Sequence, residues 1–251
     1  MTIAAKVSST EITNIITDRY VDQYFEARLI NLPAYTYDPA VAGSDTTLLT
    51  GEVALGTGGY QRAVIKFSSS DVGVYADGGV ALNQKATVFA HDGGVNPISF
   101  SHIALVWSTG NAETLGVVTA APASATTTTS NYTNIPIDST SGSGVGLTVD
   151  LQVTNSGAAT TDYVLTLNKP GYGYAASDTV TIANGTLAGL DASAGAGDLT
   201  FSVATVHAPT SATAGDLLTA VKTSSTVNLV DGHEASFYWN LKQFGFYSAG
   251  S

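Results

Sequence analysis

The chain contains no cysteine. That excludes disulfides, thiolate nucleophiles and cysteine-ligated zinc or iron–sulfur centres. Charge is also scarce, at 12% of the 251 residues, and it is one-sided: nine basic residues against 20 acidic ones, a net charge of −11. A nucleic-acid partner requires a cationic track that displaces phosphate counterions, and the scattered lysines and arginines form none. An anionic membrane surface repels the chain on the same ground. No run approaches the roughly 18 apolar residues of a helical membrane span. The opening stretch MTIAAKVSSTEITNIITDRY has no continuous apolar core behind a basic start, so it reads without a signal peptide.

What is abundant is small or β-branched. Ala, Gly, Ser and Thr dominate, 26 residues are glycine, and the apolar fraction of 44% suffices for a core. Thr and Val favour a pleated, half-buried surface, and Gly serves turns. The stretch 142–206 shows the pattern most clearly. LTVDLQV (147–153), YVLTLN (163–168), DTVTIA (178–183) and DLTFSVATV (198–206) each alternate apolar and polar residues, the period of a half-buried strand. Asn155-Ser156-Gly157, Lys169-Pro170-Gly171 and a Gly/Ala/Ser tract (185–197) separate them as turns or loops.

Before this stretch, Ile12, Ile15, Ile16, Arg19, Tyr20 and Gln23 fall three and four apart, so a helix starts near Ser9 or Thr10. Residues 8–31 are the helical candidate, and YFEARLINL either extends that helix or begins a strand over about 25–32, ended by Pro33 and Asp38-Pro39; residues 33–59 read as mostly loop. Strands are predicted at 60–67, 80–90, 98–107 and 113–120, followed by a link at 122–131. After a second link at 207–215, residues 216–232 form one or two strands and 233–247 the last. Its aromatics (Phe237, Tyr238, Trp239, Phe244, Phe246, Tyr247) place that strand centrally in a core. The predicted fold is all-β: an antiparallel, jelly-roll-like sandwich with a short N-terminal helix. Its domains are a discontinuous docking sandwich, 1–121 plus 207–251, and an inserted, projecting β-domain, 132–206. Insertion at a loop tip costs little when its ends lie close together.

Chemical motifs are few. Gly142-Ser143-Gly144-Val145-Gly146 resembles a nucleotide-binding glycine loop, but a strand follows it where a phosphate site needs a helix N-terminus. His91-Asp92 and Asp231-Gly232-His233-Glu234 combine metal-ligating residue types with turn chemistry, and they read as turns. The four histidines (91, 102, 207, 233) have no HxxxH or HExxH spacing, and no GxSxG elbow is present. His102 sits in an apolar strand and reads as a structural imidazole. The sequons at Asn131 and Asn184 read as chance. No catalytic residue, cofactor or metal is therefore expected. Tyr172 and Tyr174, on a glycine-rich segment, have two readings: a contact surface for sugars or a neighbouring subunit, or the filling of a small core.

TGGYQRAVIKF (57–67), ISFSHIALVWSTGNAETLG (98–116) and STVNLVDGHEASFYWNLKQF (225–244) resemble, in order and pattern, segments of a family of small phage tail-fibre proteins. Trp107-Ser108 stands where that family has an acidic turn. Independently, GSGVGLTVDLQV, KPGYGYAASDTVTIANGTLAGL and DLTFSV resemble a module with a GxGY…GDxxTI core found in structural proteins of marine and cyanobacterial phages. Gly171, Gly173, Tyr174, Asp178, Thr181 and Ile182 match it, with Ser177 in place of a glycine. These resemblances imply a non-enzymatic virion protein, synthesised in the host cytoplasm and incorporated into the particle. A tail component (fibre, baseplate or adaptor) is implied first; a capsid decoration protein and a carbohydrate-binding or carbohydrate-active module are the alternatives. The implied partners are other virion proteins, copies of itself (a trimer among the options), and a host-surface glycan or receptor.

Overall fold

The computed structural model describes residues 9–74, 80–93, 95–122, 129–155, 157–190, 197–207 and 215–243. In chain order its elements begin with α1 (Ser9–Tyr20), β1 (Tyr24–Ile30), α2 (Ser44–Leu49), β2 (Ala63–Lys66), β3 (Val72–Val74), β4 (Val80–Ala90) and β5 (Ile98–Trp107). Then come β6 (Asn111–Ala120), β7 (Ser130–Pro136), β8 (Ser139–Thr140), β9 (Val145–Val153), β10 (Tyr163–Tyr172), β11 (Thr179–Ile182), α3 (Asn184–Leu190) and β12 (Leu199–His207). Strands β13 (Leu217–Leu229) and β14 (Glu234–Gln243) follow. The protein is mostly strand, with antiparallel sheets and an all-β, sandwich-like fold, and the described residues include three short α-helices. It divides into two compact units, Met1–Trp107 with Pro209–Ser251, and Ser108–Ala208.

The first unit stacks a sheet of order β13-β5-β1-β2 against a sheet of order β14-β4-β3. One core joins them. Phe25, Ala27 and Leu29 from β1, Phe100, Leu105 and Trp107 from β5, and Leu82, Phe89 and Trp239 from the other sheet all pack there. The helical stripe stops at Tyr20, Asp22 takes a left-handed φ of 61°, and the chain turns into β1. Along β1, Glu26 and Arg28 alternate with the core residues and so stand on the opposite face. That face is covered by the segment after β1. Leu48 of α2 is fully buried with Ile30, Ala104 and Val106, against Tyr35 and Tyr37. Strand β5 is thus buried on both faces, which is why its sequence reads as one apolar run.

Residues 33–59 are mostly loop, with α2 among them. Among the described residues β14 pairs only with β4, and it enters the core by one face, Trp239 belonging to the core and Phe237 packing against it. Its aromatics alternate: Trp239 is buried at 6% exposure and Tyr238 is 65% exposed. Phe244, Phe246 and Tyr247 lie outside the described residues.

The chain leaves this unit from the end of β5 and returns beside it. Trp107 N–H donates to the Asp216 carbonyl at 2.9 Å, and Gly215 N–H donates to the Trp107 carbonyl at 2.9 Å. The second unit closes its own ends in the same manner, with Asn111 opposite His207 where β6 and β12 pair. It too has two sheets, of order β10-β9-β7 and β6-β12-β11-β8, around a core of Leu147, Val149, Leu151, Val180, Ile182, Leu199, Phe201 and Val203.

Strand β6 therefore belongs to the second unit, and the first part of the outer unit ends at Trp107 rather than residue 121. The reason is pairing: β6 runs along β12 from Ala120 to Asn111, and Leu115 and Val118 pack on the second core. The link placed at 122–131 falls inside this unit, with Ser130 already opening β7; residues 123–128 lie outside the described ones. Lys169-Pro170-Gly171 is not a turn but the continuation of β10 past a register shift between Leu167 and Lys169. Pro170, which has no N–H, is tolerated because β10 is an edge strand. The start of the Gly/Ala/Ser tract is helix α3, whose Leu187 is fully buried. Residues 191–196 lie outside the described ones.

Candidate functional site

Tyr172 and Tyr174 were the only side chains singled out by sequence for contact. Both are buried, at 6% and 4% exposure. Tyr174 belongs to the core of the second unit. Its ring lies against Gly144, where any Cβ would overlap it, and against Gly171, whose φ of +60° favours glycine in any case. The backbone around it is pinned to the start of β6. Gly173 N–H donates to the Thr109 carbonyl at 3.0 Å, Tyr174 N–H to the Gly110 carbonyl at 2.9 Å, and Asn111 Nδ2 to the Gly171 carbonyl at 2.5 Å. Burial pushes the Tyr174 hydroxyl up to about 12. The burial of both rings corrects the exposed contact role, and Tyr174 fills the core of the second unit. The glycine loop at 142–146 is explained by the same packing, since Gly144 makes room for Tyr174 and strand β9 begins at the next residue.

His91 and His233 meet through their backbones, while His102 lies in β5 and His207 at the end of β12. His91 is buried, its Nε2–H donating to the Asn96 carbonyl at 2.9 Å, with Gly58 packed on its ring. Its backbone joins the turn after β13: His91 N–H donates to the His233 carbonyl at 3.0 Å, and Gly232 N–H to the His91 carbonyl at 3.2 Å. Residues 231–233 are indeed a turn, closed by His233 N–H on the Val230 carbonyl at 2.9 Å, with Gly232 at φ 76°. His207 Nδ1 lies 3.3 Å from Glu113 Oε1. His102 is buried in β5, its Nδ1 3.0 Å from the Ser101 hydroxyl. Burial first and then the neighbouring Lys222 ammonium lower its pKa. Among the described residues no group of three or more His, Asp or Glu could hold a metal ion.

The densest chemistry is a cluster that sequence reading missed. On the outer face of β1 and β2, Glu26 accepts from Arg28 Nη2 at 2.7 Å and from Arg62 Nη1 at 3.1 Å. Glu52 accepts from Arg62 Nε at 2.7 Å and Nη2 at 2.8 Å, a two-pronged pair. The Tyr60 hydroxyl accepts the Leu29 N–H at 3.0 Å and donates to Glu52 Oε1 at 3.2 Å. Burial and the Glu52 charge raise its pKa. The cluster balances two carboxylates against two guanidiniums and ties β1 to the segment before β2. Each carboxylate is committed to guanidinium donors, so this arrangement is a clamp rather than an acid–base pair. Its only sequence signal was Glu26 and Arg28 inside an apolar strand. Arg62 lies 36 residues from Glu26.

In the second unit, the outward face of the β10-β9-β7 sheet carries hydrogen-bonded amide and hydroxyl side chains with one acid, Asp150. Thr148 Oγ1 donates to Asn134 Oδ1 and lies 3.1 Å from Asn168 Oδ1, Asn168 Nδ2 donates to Asp150 Oδ1, and Gln152 Nε2 donates to Asn131 Oδ1. Comparison of the chain with protein-family models, with curated proteins and with solved structures gave no match.

Proposed function

We propose that this chain is a non-enzymatic structural protein of a bacteriophage virion, a tail component (fibre, baseplate or adaptor) that serves assembly or host attachment. The observation that carries the reading is the insertion: a second sandwich spliced between the paired ends of β5 and β13, closing its own termini through β6 and β12. Such an arrangement suits a docking unit that carries a separate display unit, because each keeps its own core and the joining strands remain paired. Two further points support it. The segments resembling phage tail-fibre proteins map to the first unit (57–67, 225–244) and to β5 with the start of β6. The segments resembling the phage structural module map to the second. The ionisable side chains gathered by the fold are engaged with one another in clamps and turns, a pattern of assembly rather than turnover.

In this reading the polar face of the β10-β9-β7 sheet is the surface offered to a host glycan or another fibre component. The test is a phage lacking the gene. A tail component leaves capsid melting unchanged while adsorption is lost. A fall in capsid melting with adsorption intact would assign the protein to the head as a decoration protein, since a ligand of the assembled shell stabilises it by mass action. Turnover of host polysaccharide by the purified chain would overturn the non-enzymatic reading.

A further inference from the structure

We infer that the outer edge of β14 is a self-association site, at which a second copy of this chain adds its own β14 antiparallel across a two-fold axis. The inference rests on strand geometry and holds whether or not the chain is a virion protein. A sheet edge presents unpaired backbone donors and acceptors, and stable monomers blunt such edges with short strands, bulges, prolines or charges. The other edges here carry those devices. Strands β3 and β8 have three and two residues, and β2 has four with Lys66 at its end. Strand β10 contains a register shift and Pro170; β7 contains a shift with Asn134 at φ 56°; β6 is interrupted four times along β12; and β13 shifts between Lys222 and Val227.

Strand β14 lacks them over its first half. Residues 234–239 pair with 85–90 in unbroken register, without proline or glycine, and the first shift comes after Trp239. Among the described residues no strand pairs with β14 on the side away from β4. Glu234, Ser236 and Tyr238 form its outward face, with Tyr238 65% exposed and Val88, opposite Ser236, 49% exposed, so apart from Glu234 that face is apolar or small.

Charge selects the occupant. In a chain of net charge −11, residues 234–239 contain a single ionisable carboxylate, Glu234, so two copies can meet here with little repulsion. Antiparallel two-fold pairing keeps outward residues opposite outward residues, so the axis falls at Ser236 or Phe237. Tyr238 then lies opposite Glu234 or Ser236 of the other copy. The two Glu234 carboxylates end up four or six residues apart, roughly 14–20 Å at the antiparallel rise, beyond the ~8 Å screening length of physiological salt. With the axis at Phe237 the Tyr238 and Val88 side chains of both copies line one strip interrupted only by Ser236, with the axis at Ser236 Glu234 stands opposite Tyr238, and in either register two three-stranded sheets become one of six.

Light scattering on the eluting full-length chain tests this. The wild type is expected at about twice the 25.6 kDa of one chain. Ser236→Asp/Tyr238→Asp places carboxylates opposite carboxylates in either register and should weaken the dimer by roughly tenfold or more, with an unchanged circular dichroism spectrum. Because the chain has no cysteine, Ser236→Cys gives an independent readout: oxidation or a short bis-maleimide should yield a covalent dimer, and Val221→Cys on β13 should not. A wild type monomeric throughout the micromolar range overturns the proposal. So does an oligomer whose mass the double aspartate variant leaves unchanged and Ser236→Cys fails to cross-link.

Discussion

Arg62 grips Glu52 with two nitrogens, Nε on Oε1 at 2.7 Å and Nη2 on Oε2 at 2.8 Å, and reaches Glu26 with Nη1 at 3.1 Å. One guanidinium thus bridges two carboxylates from segments 26 residues apart. Removing it leaves Glu26, 3% exposed, with a reduced set of donors. Breaking a buried ion pair from one side costs more than the pair contributes, because a desolvated charge is stranded. Arg62→Ala should destabilise the first unit by about 2–4 kcal/mol in urea unfolding. A loss below about 0.5 kcal/mol would mean the cluster is a solvated surface network.

Tyr174 should behave as a core residue. Tyr174→Ala removes a buried ring and should cost about 3–5 kcal/mol of the second unit's stability, whereas Tyr174→Phe keeps the ring. Gly144→Ala drives a methyl into that ring and should cost about 1–3 kcal/mol. Thermal melts of the three variants decide the matter. Wild-type stability in Tyr174→Ala together with lost glycan or partner binding would restore the contact role.

The tyrosines also set an alkaline limit. Tyr174 is pushed up to about 12 from an ordinary value of 10.0, and burial raises Tyr60 further in the same direction. Above pH 10 the unfolded chain loses these protons while the folded chain holds them. Unfolding is therefore favoured increasingly as pH rises, by about 1.4 kcal/mol per pH unit for each such group. Stability should be flat below pH 10 in this respect and fall between 10 and 12. Tyr174→Phe should make the fall shallower for the second unit. Urea midpoints across that window give the slope; an identical slope in the variant would contradict the assignment.

His102 contributes at the other end. Its pKa is lowered from 6.5 by burial and by Lys222, so below pH 6.5 the unfolded state takes up a proton that the folded state resists. The stabilisation is complete above 6.5 and is lost as pH falls through the folded value. His102→Gln should flatten the dependence between about pH 6.5 and 5, above the range where carboxylates titrate. An unaltered profile would place the imidazole in solvent.

The second unit should fold alone. Residues 108–208 bring their own core and pair their ends at Asn111 and His207. The excised fragment should melt cooperatively with a strand-type circular dichroism spectrum. A fragment without a transition would show that it needs the outer unit to fold.

Much of this architecture was legible because burial and period leave local marks. Strand β5 was read over its full length, since both of its faces are covered and the run is apolar throughout. Strands β9, β11 and β12 were found by alternation. What escaped depends on partners distant in sequence. Strand β6 has the same local pattern whichever sheet receives it, and only its pairing with β12, about 90 residues on, assigns it to the second unit. Helix α2, SDTTLL, is too short to show a period. Pro170 looked like a turn because its tolerance comes from an edge position that sequence does not display. The burial of Tyr174 depends on Gly144, 30 residues earlier, and the Glu26–Arg62 contact spans 36.

The measurement closest to the central claim is immunogold labelling of purified phage particles with antibody against residues 108–208. The account predicts label on intact particles, confined to the tail. An even coat over the head would move the protein to the capsid. Unlabelled particles that also lack the chain by mass spectrometry would contradict the virion assignment itself.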